Sequence, residues 1–538
     1  MRILLLAHSF NSLTQRLWVE LDRRGHDVSL ELDVNDAVTV EAVELAQPDV
    51  IIAPFLKRAI PEQVWRNHRC LIVHPGPLGD RGPAALDWAI LEGAESWGVT
   101  VLQAEAEMDA GPVWAHRSFP MRAATKSSLY RNEVTDAAVD AVLEALDAAA
   151  PMRPDLSAFK PAPTQAQRAI DWTTDDTATV LRKIRASDGV PGVVDGDYTL
   201  HDAHPADGLS GIPGEWIARR GGMVARATTD GAVWIGQLRR RETGALKLPA
   251  ASVLPEAATL PEQPGHHEIW YDERGGVGFL HFPFHNGAMS TDQCERLKDA
   301  FLIAAKRPTK VIALMGGPDF WSNGIHLGTI EAAESPADES WRNINAMNDL
   351  CEAIITCGSH ITLAAMQGNG GAGGVFMALA ADMVLARSGV VLNPHYKGMG
   401  NLYGSEYWTY LLPKRCGAAG ALALTQARLP VGTEEARDWG LIDDHFGGTV
   451  PEFRAQFERF AFSLATSTDV ESRLAAKRLA RLADETEKPL ATYRAEELEH
   501  MKLNFYGFDP SYHVARWNFI RRIPKSRTPL YLARHRAK

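Results

Sequence analysis

The chain has 538 residues, 45% hydrophobic and 23% charged, with a formal net charge of −11. That is too long for one hydrophobic core and ordinary in composition, so several globular domains are expected. The acidic balance excludes general nucleic-acid affinity, and no apolar run is long enough to span a bilayer, so neither nucleic acid nor membrane is an expected partner.

The opening "MRILLLAHSF" has a short apolar run without a cleavage pattern and reads as a first strand. Residues 1–155 alternate β-type runs ("RILLLA", "VSLEL", "VIIAPF", "CLIVH", "VTVLQA") with helical patterns, the signature of a parallel α/β sheet. An Ala- and Pro-rich linker follows. Residues 160–255 start with a helical stretch and continue as short strands with turn residues between them, as in a small β-barrel module. After a second Pro-containing linker, residues 265–470 read as another α/β domain with Ala-rich helices. Residues 471–538 read as a helical C-terminal extension ending in a basic run. The expected fold class is thus multidomain α/β. The 5 cysteines are scattered, none at zinc-site spacing, which fits a cytoplasmic protein without a metal.

The first chemical signal is "LIVHPGPLGDRGPAALDWAI". A strand ends at His74, and Pro and Gly then turn the chain across the carboxyl edge of the sheet, where open α/β sheets bind ligands. The second is "VLQAEAEMDAGPVW", where Asp109 precedes Gly111 and Pro112 in a turn. A histidine can move a proton at neutral pH, and a carboxylate can orient it and stabilise its charged form. A lone strand-end histidine is commonly structural; the pair in this order and spacing resembles the folate-dependent formyltransferases. That resemblance implies acid–base work by His74 and Asp109, and reception of the pterin of formyl-tetrahydrofolate by the backbone of "APFLKRAIP", at Pro54, Phe55 and Leu56. It also implies that residues 160–255 match the C-terminal barrel of the transfer-RNA enzymes. One position departs. The family has Asn two residues before the histidine, and here that residue is Ile72. An acceptor easier than an amine would fit; a thiol, with a pKa of about 8.5, is one.

The second α/β domain carries two Gly-rich turns, "GGPDFWSNGIHLG" and "AAMQGNGGAGGVFMALAADMVLA". Glycine allows close backbone approach, and a helix start offers free N–H groups to an anion. The pair resembles the crotonase (enoyl-CoA hydratase/isomerase) superfamily, which implies a CoA thioester whose carbonyl oxygen meets the N–H groups of Ile325 and Gly373. The two glutamates of the hydratases are missing: one position is Phe376, and the other falls near His395 and Tyr396. The same loop, "NPHYKGMGNLYGSEYWTY", holds one acid, Glu406, among aromatics. Enclosed in this way, a carboxylate should have a raised pKa and exchange protons near neutrality.

A formyltransferase half joined to a crotonase half, with "FNSLTQR" and "HYKGMGNLYGSEYWTYLLP", resembles the HypX/HoxX-type [NiFe]-hydrogenase maturation factors. The resemblance implies formyl transfer from formyl-tetrahydrofolate to coenzyme A, then decarbonylation of formyl-CoA to carbon monoxide, which becomes a ligand of the hydrogenase iron. Glu406 and Tyr396 would then serve decarbonylation, and hydrogenase maturation proteins would be partners. Arg131 and the tail residues Arg534 and Arg536 are the candidates for the CoA phosphates, because a pyrophosphate needs charge-assisted partners. The alternative is a formyltransferase acting on an amine, with a crotonase half that only binds CoA or serves as a scaffold.

Overall fold

The computed structural model describes residues 1–537. The chain forms two compact units: Met1–His266 together with the segment from Lys525 onward, and His267–Pro524.

In the first unit, strands β1 (Arg2–Ala7), β2 (Asp27–Leu32), β3 (Val50–Phe55), β4 (Cys70–His74), β5 (Ser96–Gln103) and β6 (Val113–Pro120) form one sheet in the order β2-β1-β3-β4-β5-β6. The first four pair in parallel, while the β4–β5 and β5–β6 pairings are antiparallel, so β5 alone runs against the others. β1 is buried from Ile3 to Ala7, as expected of a strand covered on both faces. Helix α1 (Ser12–Arg23) starts where the Asn11 side chain accepts the Thr14 N–H. The module expected as a small barrel is a second, antiparallel sheet: β7 (Val193–Asp195), β8 (Tyr198–Pro205), β9 (Trp216–Arg220), β10 (Met223–Ala227), β11 (Ala232–Arg240) and β12 (Leu248–Pro249). It runs β7-β8-β11-β10-β9, with β12 also on β11.

In the second unit, β13 (Trp270–Arg274), β14 (Val277–Phe282), β15 (Val311–Gly316), β17 (Ile361–Met366), β19 (Met383–Arg387) and β22 (Asp444–Phe446) form the main sheet. All its pairings are parallel except β13 with β14. A smaller sheet joins β16 (Phe320–Ser322), β18 (Asn369–Gly371), β20 (Val391–Asn393) and β21 (Val431–Gly432). Strand periodicity divides the main sheet's side chains between two cores. Leu280 and Phe282 meet helices α2 (Thr291–Ala304) and α3 (Pro336–Ile355), whereas Val277 and Phe279 meet Phe453 and Phe457 of α6 (Val450–Thr466). The first core also takes in α4 (Gly373–Leu379) and α5 (Trp408–Ala427).

The tail, expected as a single extension over 471–538, divides between the units. Helices α7 (Val470–Glu487), α8 (Leu490–Tyr506) and α9 (Ser511–Ile520) belong to the second unit. The last segment lies along β2, the edge strand of the first sheet. The N–H of Leu30 bonds to the carbonyl of Leu532 at 2.9 Å and that of Leu32 to the Thr528 hydroxyl at 2.8 Å. The physical reason is Glu31, which projects from β2 with no exposure and needs partners: His535 Nε2 at 3.0 Å and Arg536 Nε at 2.7 Å.

Candidate active sites

In the first unit the structure brings His74 and Asp109 together and adds a residue that motif reading passed over. His74, 4% exposed, ends β4. Its Nδ1 is 3.6 Å from Asp109 Oδ2, and its Nε2 is 2.9 Å from Asp80 Oδ2. Each ring nitrogen therefore faces its own carboxylate. Asp109 is held in the left-handed region at φ +54°, and its carboxylate accepts the Gly82 N–H at 3.0 Å. Asp80 reaches back because the loop passes close at Gly76, where a Cβ would lie 2.4 Å from both Asp80 Oδ2 and His74 Nε2. Its only sequence signal was an acid a few residues beyond the histidine, in the same Gly- and Pro-rich loop.

Pro54 and Phe55 end β3, which pairs with β4 in a register that sets Ala53 beside Ile72. The proposed pterin segment and His74 thus share one sheet edge. The Phe55 carbonyl accepts the His8 N–H at 2.7 Å, and its ring meets Tyr130 edge-on at 6.2 Å. Leu56 and Ile72 are half-buried and pack on the apolar core, so Ile72 brings no polar group to His74. Arg131 lies half-buried in the π-helical turn Tyr130–Val134. Arg534 pairs with exposed Asp22 at 2.9 Å and covers the Trp18 ring. Arg536 is more committed, held by Glu31 and by Glu41 at 2.7 Å each.

In the second unit the two Gly-rich turns meet. A Cβ on Gly324 would lie 3.3 Å from the Gly373 nitrogen. Gly373 opens α4 after Ala372, which is held at φ +47°. Neither the Ile325 nor the Gly373 N–H has a hydrogen-bond partner among the described residues. Two free donors side by side, one at a helix start, can take a developing oxyanion.

Over this pair sits Glu406, 1% exposed. A Cβ on Gly373 would lie 2.2 Å from Glu406 Oε1, so the carboxyl group lies against the Gly373 backbone. Glu406 Oε2 accepts the Tyr396 hydroxyl at 2.5 Å and the Ser405 N–H at 3.2 Å. Tyr396 stacks on Phe376, the residue at the first missing glutamate position, with ring centroids 5.3 Å apart. Burial pushes the Glu406 carboxyl up to about 8, with a contribution from nearby Glu497, against the lowering effect of Tyr396 and Ser405. Burial, then Glu406 itself, hold the Tyr396 phenol well above its ordinary range. The arrangement offers a carboxyl that can both give and take a proton near neutrality, against two free N–H donors, inside an aromatic wall. Glu497 and Asn348, which hold the loop from outside, and Ser405 within it were not anticipated.

Three family models match: "Formyl transferase" over residues 31–146, "Formyl transferase, C-terminal domain" over 163–251 and "Enoyl-CoA hydratase/isomerase" over 278–507. The hydrogenase maturation factor HoxX of Bradyrhizobium diazoefficiens is 59% identical over 100% of this chain and 97% of its own length. A methionyl-tRNA formyltransferase of Granulibacter bethesdensis is 28% identical over 35% of this chain and 64% of its own. The crystal structure of HypX from Aquifex aeolicus in complex with tetrahydrofolic acid superposes with a TM-score of 0.97 at 52% identity, covering 100% of this chain and 99% of that one. With formyltransferase and crotonase-type segments in one polypeptide, the chain belongs to the HoxX/HypX family of hydrogenase maturation factors.

Proposed function

We propose that the protein makes carbon monoxide in two steps. In the first unit the formyl group of formyl-tetrahydrofolate passes to the thiol of coenzyme A, giving tetrahydrofolate and formyl-CoA. His74, set between Asp80 and Asp109, takes the thiol proton and returns one to the leaving nitrogen. Pro54, Phe55 and Leu56 receive the pterin; the tetrahydrofolic acid bound by the Aquifex relative supports a folate here. Arg131, Arg534 and Arg536 are the cations for the CoA phosphates. In the second unit formyl-CoA breaks into carbon monoxide and CoA. Ile325 and Gly373 hold the formyl oxygen, the formyl hydrogen leaves as a proton, the C–S bond breaks, and the sulfur gains a proton. Glu406, hydrogen-bonded to Tyr396, carries that exchange, and no water enters the balance. The carbon monoxide then serves as a ligand of the hydrogenase iron.

The observation that carries this reading is the position of Glu406: one protonatable carboxyl against the oxyanion donors, where a hydratase would need two glutamates and a water. The test supplies formyl-tetrahydrofolate and CoA and follows carbon monoxide with a haem protein. General acid–base catalysis is worth about 10²–10⁴-fold. Glu406→Gln should therefore lose about that much carbon monoxide while tetrahydrofolate release continues and formyl-CoA or formate accumulates. Wild-type carbon monoxide output from that variant, or loss of its tetrahydrofolate release, would refute the two-site assignment.

A further inference from the structure

The Glu406 loop contains two consecutive non-glycine residues in the left-handed region, Glu406 at φ +60° and Tyr407 at φ +58°. Each costs about 1–2 kcal/mol for an L-residue, so the turn persists only because its surroundings fix it. The fixing groups come from two helices outside the loop. From α3, Asn348 Oδ1 accepts the Glu406 N–H at 2.7 Å, and its Nδ2 donates to the Ser405 hydroxyl oxygen at 2.9 Å. From α8, Glu497 Oε2 accepts the Ser405 hydroxyl at 3.2 Å and the Tyr407 N–H at 3.0 Å. Its Oε1 accepts the Thr409 N–H at 2.9 Å and hydroxyl at 2.6 Å.

Glu497 is fully buried and pairs with no Lys, Arg or His among the described residues. Burying an ionisable carboxyl without a counter-ion, near a second one, is costly. An uncharged amide could accept some of the same bonds without that cost, so clamping alone does not account for a glutamate.

We propose that Glu497 is a positioning residue for Glu406: it holds the turn that aims the Glu406 carboxyl at Gly373, and its charge sets the field in which Glu406 exchanges its proton. This rests on the reading of Glu406 as the proton-transfer group. The titratable groups facing Glu406 are Tyr396, Glu497, Cys294 from α2 and Cys351 from α3; Tyr403 also faces Glu497. Burial pushes both thiols and the phenols up, so they stay neutral near pH 7. Glu497 itself is pushed up to about 7 by burial, against its bonds from Thr409, Ser405 and Tyr407. A negative Glu497 makes ionisation of Glu406 harder; replacing it with an amide should make that ionisation easier and displace it to lower pH.

The experiment uses the full chain with formyl-tetrahydrofolate and CoA, and reads tetrahydrofolate and carbon monoxide separately from pH 5.5 to 9, a window of about ±2 units around neutrality. Glu497→Gln should lower carbon monoxide release by about 10²-fold, the usual effect of a misplaced catalytic group. The inflection of its pH dependence should move to lower pH, and tetrahydrofolate release should be unchanged. Because Glu497 acts through Glu406, the double variant Glu406→Gln/Glu497→Gln should lose no more than Glu406→Gln alone. An unmoved inflection, or losses that simply add, would overturn the proposal and leave Glu406 standing. Wild-type carbon monoxide release from Glu406→Gln alone would instead overturn the Glu406 reading, and this one with it. If Glu497→Gln does not fold, Ser405→Ala, which removes one of the four bonds Glu497 accepts from the turn, weakens the support of its charge and keeps both helices, must show a smaller shift in the same direction; an unshifted profile counts against the proposal.

Discussion

Replacing Gly373 with alanine tests the second site with one methyl group. The new Cβ would lie 2.2 Å from Glu406 Oε1 and 2.6 Å from its carboxyl carbon. Ordinary carbon contacts are about 3.5 Å, so the carboxyl must retreat by about 1 Å. It cannot do so freely, because Tyr396 and the Ser405 N–H hold Oε2 and Asn348 holds the Glu406 backbone. A displacement of that size costs about 10²-fold in rate, or about 2.7 kcal/mol on the barrier. Alanine suits the first position of a helix, so the stability loss should be confined to overpacking, about 1–3 kcal/mol. The assay supplies formyl-tetrahydrofolate and CoA and follows tetrahydrofolate and carbon monoxide in parallel. Tetrahydrofolate release should match wild type while carbon monoxide falls about 10²-fold. A folded Gly373→Ala protein making carbon monoxide at the wild-type rate would show that the contact between Glu406 and the Gly373 backbone has no part in the chemistry.

His74→Ala should abolish tetrahydrofolate release yet still convert added formyl-CoA to carbon monoxide; Asp80→Asn should slow the first step alone, as a carboxylate on His74 Nε2 requires. Arg534→Ala should weaken CoA binding by calorimetry while leaving the melting temperature nearly unchanged, because its bridge to Asp22 is exposed. Deleting residues 531–538 should destabilise the first unit by about 1.5–3 kcal/mol at neutral pH, since Glu31 exchanges its charge-assisted bonds from His535 and Arg536 for water. Although burial alone would raise it, bonds from His535, Thr528 and Arg536 hold the Glu31 carboxyl below its ordinary range. The intact protein's advantage should therefore be full above the ordinary carboxylate range and disappear as pH falls through the lowered value. Urea unfolding of both forms across pH 3–7, about the span where carboxylates titrate, measures it; a constant difference would contradict this account of the tail.

Much of the first site is set by local sequence. An apolar run ending in His74, followed by Pro and Gly, places that histidine at a strand's carboxyl edge, and "EMDAGP" places Asp109 in a turn. The enclosure of Glu406 was legible in the same way, because one acid among tyrosines and a tryptophan in a glycine-punctuated loop has little charge to keep it in water. The tertiary fold decided the partners. Asp80 looked like any loop acid until the chain closed at Gly76. The basic tail read as a source of cations for a phosphate, yet the buried Glu31 on an edge strand draws it onto β2, with Thr528 and Glu31 497 positions apart. Glu497 lies on α8 beside Glu496 and Glu499, which stay exposed. It alone shares the stripe of Leu490, Met501 and Phe505 that faces the core. A glutamate on an apolar stripe was a readable sign that something polar waits inside. What waits there is the Ser405–Thr409 turn, about ninety positions away, and helical periodicity carries no record of it because it encodes which face is buried, not which loop that face will meet.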